Sequence, residues 1–406
     1  MTDRWGITRE SAIRDSRVRE VFTPHQPVNE VELLFGRDDE VSRILQNLNT
    51  PGQHALLYGE RGVGKSSLAN VMVEVLAPVY NEHVFIKRCD STDTFETILE
   101  EPLNVVGVDL LLDERTETEG KNRSAGGSVK VVRGDVGSDS SISHRFRRPA
   151  EISPAKAVSY VGGLNGLLVI DEADAISDPE DRRKLAEFVK MLSDSGSKLK
   201  VFLVGIAETA ADLTAGHPSV GRCLAETELK RLSEGELREI IHGGASRVGL
   251  QFEDDAAEAI VACSARYPHF THLLALKCAE NAVVNSKPII TRADVDAALA
   301  AARRDAEGTL KLSYDGAIRS YSTDMYKVIL ESAAALDTAE FTAEQLRDSI
   351  EKRNGVPLSQ NSLNNYFQRL ISEDGSTILR RMAKGVYRFT DPRMPSYVRI
   401  ASGHLE

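Results

Sequence analysis

The chain has 406 residues, 27% of them charged and 41% hydrophobic, enough for two or three domains with ample cores. A formal net charge of −11 excludes a molecule that coats nucleic acid through bulk charge, so any DNA contact has to be regional. The four cysteines, Cys89, Cys223, Cys263 and Cys278, lack C-x-x-C spacing, which argues against a zinc site or a disulfide framework. No apolar signal core or membrane-length run occurs, and a cytoplasmic protein without membrane contact is expected.

Residues 1–30 read as a helix and strap packed on the body, with Ile13, Val18, Val21 and Phe22 ahead of Pro24. Next, His54-Ala55-Leu56-Leu57-Tyr58 is an apolar run of strand length. It leads directly into Gly59-Glu60-Arg61-Gly62-Val63-Gly64-Lys65-Ser66, a full G-x-x-x-x-G-K-[ST] match, the Walker A pattern. Glycines let successive backbone N–H groups converge on phosphate oxygens, Lys65 reaches the β/γ-phosphates, and Ser66 reaches a magnesium ion. The helix expected to open at Lys65 adds its positive dipole end, with Ser67 in its first turn. Strand, turn and amphipathic helix in that order weigh heavily against a chance match, so ATP and Mg2+ are the expected ligands.

Val84-Phe85-Ile86 is a further strand, and residues 113–149 form a polar, Gly/Ser-rich insertion. Leu167-Leu168-Val169-Ile170 then runs into Asp171-Glu172, a Walker B pattern. At the carboxyl end of a central strand Asp171 can share the magnesium with Ser66, and Glu172 can orient and polarise the attacking water. Asp171-Glu172-Ala173-Asp174 also spells a helicase box, but no second RecA-like half follows. A helix from Pro179 to Leu192 and a strand in Val201–Ala207 complete an alternation that packs as a mostly parallel α/β sheet.

From Ser233 the pattern turns helical: Ser233-Glu234-Gly235-Glu236 is a capping box, followed by Leu237, Ile240 and Ile241 on one face. Ala256, Ala259, Ile260 and Cys263 mark a second helix, Thr291 starts another, and residues 305–320 read as a linker or connecting helix. The last segment reads as a separate unit: a helix capped at Thr342, a turn at 354–357, a helix from about Ser359 to Ser372, and two short strands, 378–381 and 386–389. In the second of those helices Leu363, Phe367, Leu370 and Ile371 face inward, leaving Asn361, Asn364, Asn365, Gln368 and Arg369 outward. Helix, turn, helix and basic hairpin describe a winged helix. Between Ser376 and Arg399 six basic residues, Arg380, Arg381, Lys384, Arg388, Arg393 and Arg399, stand against one acid, Asp391. Asn364, Asn365, Gln368, Arg380, Arg381, Lys384 and Arg388 are therefore the candidate DNA contacts, the cations for phosphates and the amides for base edges.

On these residues the chain resembles AAA+ ATPases of the origin-recognition and archaeal initiator clade, together with related bacterial AAA+ and STAND-type ATPases, over roughly Val28 to Val398. The resemblance implies a P-loop NTPase domain at 31–232, a helical lid at 233–304 and a winged helix at 320–404. It implies that Leu34-Phe35-Gly36-Arg37 lines the adenine site, so Phe35 and Arg37 join the cofactor set. Arg222, in Ser219-Val220-Gly221-Arg222, falls where the clade places an arginine finger that acts on a neighbouring subunit's nucleotide, which implies a homo-oligomer. The sequence departs from the clade at sensor 1, where Glu208 and Thr209 replace the usual asparagine. At sensor 2 Arg266 and His269 compete. His217, in a loop, reads as structural.

The expected function is a slow ATPase switch that oligomerises on ATP and engages duplex DNA through its winged helix. The alternatives are a signalling or antiviral-defence ATPase that recruits an effector protein, and a transposition-targeting ATPase.

Overall fold

A computed structural model describes residues 6–80, 83–108, 114–115, 146–147, 151–206, 219–320, 323–336, 338–355, 357–371 and 377–403. Five strands, β1 (His54–Tyr58), β2 (Val84–Arg88), β3 (Leu167–Asp171), β4 (Lys200–Gly205) and β5 (Leu224–Glu228), form a parallel sheet in the order β2-β3-β4-β1-β5. β3 and β4 are buried along their whole length, which is why their sequences are near-continuous apolar runs. All carboxyl ends fall on one edge, so β1 delivers the phosphate loop to the same edge as the Asp171 end of β3, with β4 between them. β5 is the strand that the sequence reading lacks. It is an edge strand whose Glu226 and Glu228 are exposed, so its alternation looks polar.

The two faces of the sheet are covered differently. Leu56, Leu168, Ile170 and Leu203 point into a layer built on Phe95 and Phe188, which meet edge to face at 5.8 Å. α1 (Lys65–Leu76) covers the other face, with Leu68 and Met72 against Leu57, Val169 and Phe202. α2 (Pro179–Asp194) lies on the Phe188 side and is capped by Asp178, whose carboxylate accepts from Glu180 N at 2.9 Å. The polar insertion lies almost wholly outside the described residues; its ends pair as short antiparallel strands at Glu114–Arg115 and Phe146–Arg147.

α3 (Glu234–Arg247) starts at the expected capping box: Ser233 Oγ accepts from Glu236 N at 3.3 Å, and Glu236 accepts from Ser233 N at 2.5 Å. α4 (Asp254–Ser264), α5 (Pro268–Val284) and α6 (Arg292–Asp305) follow, and α7 (Gly308–Ile318) is the connecting helix. The chain then folds as α8 (Met325–Ala334), β6 (Phe341–Thr342), α9 (Ala343–Asn354), α10 (Gln360–Ile371), β7 (Leu379–Ala383), β8 (Val386–Phe389) and α11 (Met394–Ser402). The three strands make an antiparallel sheet in the order β6-β8-β7, with a bulge between Arg381 and Ala383, so the hairpin turn narrows to Lys384-Gly385.

α11 packs the C-terminal segment against the helices of 234–305. Met394, Tyr397, Val398 and Ile400 recur at helical spacing and bury into the same core as the helices of 234–305. Tyr397 meets Tyr314 of α7 edge to face at 5.6 Å, and Ser396 Oγ donates to Ser264 O at 2.7 Å. Arg399 donates to Ala262 O at 2.7 Å and to Ala334 O, so it belongs to this seam and not to the basic hairpin. Arg369 is likewise not an outward residue. It donates to the Gly316 and Arg319 carbonyls and lies 4.6 Å from the Tyr326 ring. No helix among the described residues is long and apolar enough to cross a membrane.

Because Tyr397 is fully buried in this shared core, Tyr397→Ala is expected to cost about 3 kcal/mol or more. Calorimetry should show one unfolding transition, shifted down, for the helices of 234–305 and the C-terminal segment together. Two resolved transitions with only one displaced would disprove the shared core.

Candidate nucleotide site

β1 ends at Tyr58 and α1 begins at Lys65, and the six residues between them wrap a space at the sheet edge. Gly59 is packed so tightly that a Cβ there would stand 2.3 Å from Leu229 O, while Gly62 and Gly64 sit at φ 87° and 100°. Lys65 Nζ donates to Gly59 O and Glu60 O, each at 2.9 Å. Burial draws its ammonium below the ordinary lysine value, while Asp174 and Asp171 oppose the shift through their fields.

Arg61 through Ser67 line a cavity of about 620 Å³, and Asp171 and Glu172 line it from the end of β3. Asp171 is buried, with Oδ1 accepting from Glu172 N at 2.9 Å. Glu172 turns in the left-handed region at φ 57°, a conformation that costs a non-glycine residue of order 1–3 kcal/mol and recurs at functional sites. No group of three or more His, Cys, Asp or Glu side chains suited to a metal occurs among the described residues. Magnesium needs no such cage, since it takes one or two protein oxygens plus phosphates and water; the buried Asp171 carboxylate and the Ser66 hydroxyl on one cavity wall fit that demand.

The remaining expected residues divide. Phe35 lines the cavity and packs where a Gly243 Cβ would be, 2.6 Å from its ring. Arg37 also lines it, but its buried guanidinium donates to Val63 O at 3.0 Å and Lys230 O at 2.8 Å and pairs with Glu40, so it braces the loop. Ser67 Oγ accepts from Val28 N at 3.1 Å, tying α1 to the strap. Glu60 faces away from the cavity towards Arg231 and Tyr267, which bond to its carboxylate at 2.9 and 2.8 Å. Arg266 donates to Leu232 O, leaving His269 as the sensor 2 candidate on the cavity wall. Arg222 is exposed on a turn, Val220–Arg222, outside the cavity. Glu208, Thr209 and His217 lie outside the described residues.

Two sets of cavity residues were missed from the sequence. The strap, Thr23 to Val28, lines the cavity, held by Thr23 N donating to His272 Nδ1 at 3.2 Å. Pro24 and Pro27 were the signal: they stiffen a segment that turns at Pro24-His25 and pairs with no strand. The other is Arg393, counted from sequence with the hairpin. Its stem presses on Gly62, at 2.8 Å from where a Cβ would stand. Its guanidinium donates to Asp391 at 2.8 and 3.1 Å and to Glu307. Burial would raise the Asp391 carboxyl, but the Arg393 bonds outweigh it and hold the group below the usual carboxylate range.

A family model described as Novel STAND NTPase 1 matches residues 24–282, from the strap through α5. The chain belongs to that family. Among solved structures, the fold of this NTPase is similar to the Walker-type ATPase PABY2304 of Pyrococcus abyssi, with 18% identity, TM-score 0.52, and 93% of this chain and 99% of that one covered. It is also similar to the ORC2 protein of Aeropyrum pernix, with 15% identity, TM-score 0.47, and 95% and 97% covered. No curated protein matches the sequence. The fold is that of an α/β P-loop NTPase.

Gly62→Ala combines a disfavoured φ with a clash against an arginine pinned by two carboxylates. It is expected to weaken nucleotide binding by at least about tenfold in calorimetric titration. A second test concerns His272, which burial, helped by His269, pushes down to about 4 from 6.5. Between those values the unfolded chain binds a proton that the native site excludes, so stability is lost as pH falls through the window. Thermal midpoints should drop from pH 7 to 4, less steeply in His272→Gln.

Proposed function

We infer that this NTPase is an ATP-dependent switch in which the nucleotide controls how the C-terminal unit is held. The observation that carries this is Arg393, a residue of that unit whose stem lies against Gly62 of the phosphate loop. By its order of helices and hairpin the unit is read as a winged helix, with 31–232 as the ATPase domain and 233–304 as the lid. Contact between the far end of the chain and the phosphate loop makes the unit's position depend on what the loop holds.

The chemistry follows from the chain's own groups. Lys65 gives up the Gly59 and Glu60 carbonyls for the β/γ-phosphate oxygens, and the loop N–H groups complete the cradle. Magnesium, when held by Ser66 and Asp171, neutralises phosphate charge. Glu172 orients the attacking water and draws its proton. Phosphates attract the Arg393 guanidinium away from Asp391 and Glu307, which loosens the closed arrangement. The strap and Phe35 border the rest of the cavity, where adenine fits. Freed subunits then assemble, and Arg222, exposed on its turn, reaches a neighbour's γ-phosphate.

For the client of the released unit, nucleic acid is the first reading. Arg380, Arg381 and Lys384 are exposed on one hairpin, Arg388 is half-buried beside them, and Asn364, Asn365 and Gln368 are exposed on α10. The family match supports a second reading, a signalling ATPase whose unit recruits an effector protein.

Glu172→Gln is expected to keep ATP binding, reduce turnover by about a hundredfold or more, and accumulate an ATP-bound oligomer in light-scattering chromatography. Unchanged turnover refutes the water-orienting role. Arg393→Ala should speed release of a fluorescent ADP analogue several-fold in stopped-flow traces; an unaltered rate removes the basis of the switch.

A further inference from the structure

We propose that Tyr267 and Arg231 are positioning residues of the phosphate loop, acting through the Glu60 carboxylate to pre-order that loop for phosphate. This rests on the nucleotide reading of loop 59–66. It adds two side chains from outside the cradle, neither of which is among those lining the cavity.

Glu60 carries two attachments on one residue. Its backbone carbonyl is one of the two that accept from Lys65 Nζ, at 2.9 Å. Its side chain points the other way, and a single oxygen, Oε2, accepts from Arg231 Nε at 2.9 Å and from the Tyr267 hydroxyl at 2.8 Å. Turning the Glu60 peptide therefore moves a resting partner of Lys65, and the two donors oppose that turn. The Arg231 guanidinium lies 4.6 Å from the centroid of the Tyr267 ring, so the donors also brace each other. Tyr267 is fully buried, and burial raises its phenol above the ordinary value, so the hydroxyl keeps the proton that it donates.

The same two residues meet the loop beyond Glu60. The Tyr267 ring comes within 3.6 Å of where a Gly62 Cβ would stand. Arg231 ends a run, residues 229–231, that reaches the loop at three successive positions. Leu229 O stands 2.3 Å from where a Gly59 Cβ would be, Lys230 O and Val63 O accept from one nitrogen of Arg37, and Arg231 takes Glu60. The loop is thus fastened from its outer side, which leaves its inner side to the cavity. Order built into a loop beforehand does not have to be created when phosphate binds, so its loss appears as weaker binding. Once nucleotide fills the cradle, its phosphates hold the same backbone, and turnover at saturation changes little.

The test is calorimetric titration of the full-length protein with MgATP and with MgADP, paired with steady-state turnover. Tyr267→Phe removes a hydrogen bond to a charged acceptor and should weaken both nucleotides by about tenfold, as should Arg231→Met. Stoichiometry should stay that of the wild type, with kcat within about twofold of it. Glu60→Gln keeps an oxygen that accepts from both donors and should bind nucleotide more tightly than Glu60→Ala. In the Glu60→Ala background Tyr267→Phe should weaken binding no further, because the path through Glu60 is already cut. Additive losses in that double variant overturn the action through Glu60. Wild-type affinity in Tyr267→Phe, or a fall in stoichiometry at unchanged affinity, leaves Tyr267 a merely structural role and overturns the proposal. Absence of nucleotide binding by the wild-type protein overturns the nucleotide reading with it.

Discussion

A lysine ammonium partly drawn out of water is the constraint on which the rest of this molecule depends. Lys65 has two backbone carbonyls as its hydrogen-bond partners, and the nearby carboxylates act on it only through their fields. Burying a cation against neutral dipoles is unfavourable unless an anion is on offer. The loop therefore offers its cation to any anion that enters, and its glycines, the buried Asp171 and the bracing Arg37 keep its shape in place. The sheet supplies the rigid edge from which it hangs.

Several elements converge on the loop from outside the sheet. Arg231 and Tyr267 clamp Glu60, with the Arg231 guanidinium 4.6 Å from the Tyr267 ring. Just before Tyr267, Ala265 and Arg266 both sit at positive φ, 45° and 69°, a pairing that costs of order 1–3 kcal/mol per residue. It persists because neighbours over-determine it: Arg266 bonds Leu232 in both directions, and Ser396 holds the adjoining Ser264 carbonyl. Strain is thus concentrated where the helices of 234–305, the phosphate loop and α11 meet. Movement of any one of them is felt by the other two.

Much of the central architecture could be read from the residues because its signals are local. The Walker loop, the apolar runs of β1, β3 and β4, and the Ser233 capping box each declare themselves within a few positions. What escaped was set by distant packing. Arg393 looks like one more cation in a basic stretch, and only the burial of α11 against the helices of 234–305 turns it towards Gly62. Arg399 and Arg369 changed meaning for the same reason, since periodicity tells which face of a helix is apolar but not which polar residues are called upon to cap neighbouring carbonyls. β5 was hidden because an edge strand needs apolar residues on one face alone.

The strap and Arg393 together imply an order of events during synthesis. Pro24 and Arg393 border one cavity, although nearly the whole sequence separates them. The sheet, the phosphate loop and the strap emerge from the ribosome well before α11, so a nascent chain already owns a cradle for phosphate while its last wall is still unmade. The site is therefore completed only when α11 docks, its last wall coming from the last part of the chain to be made.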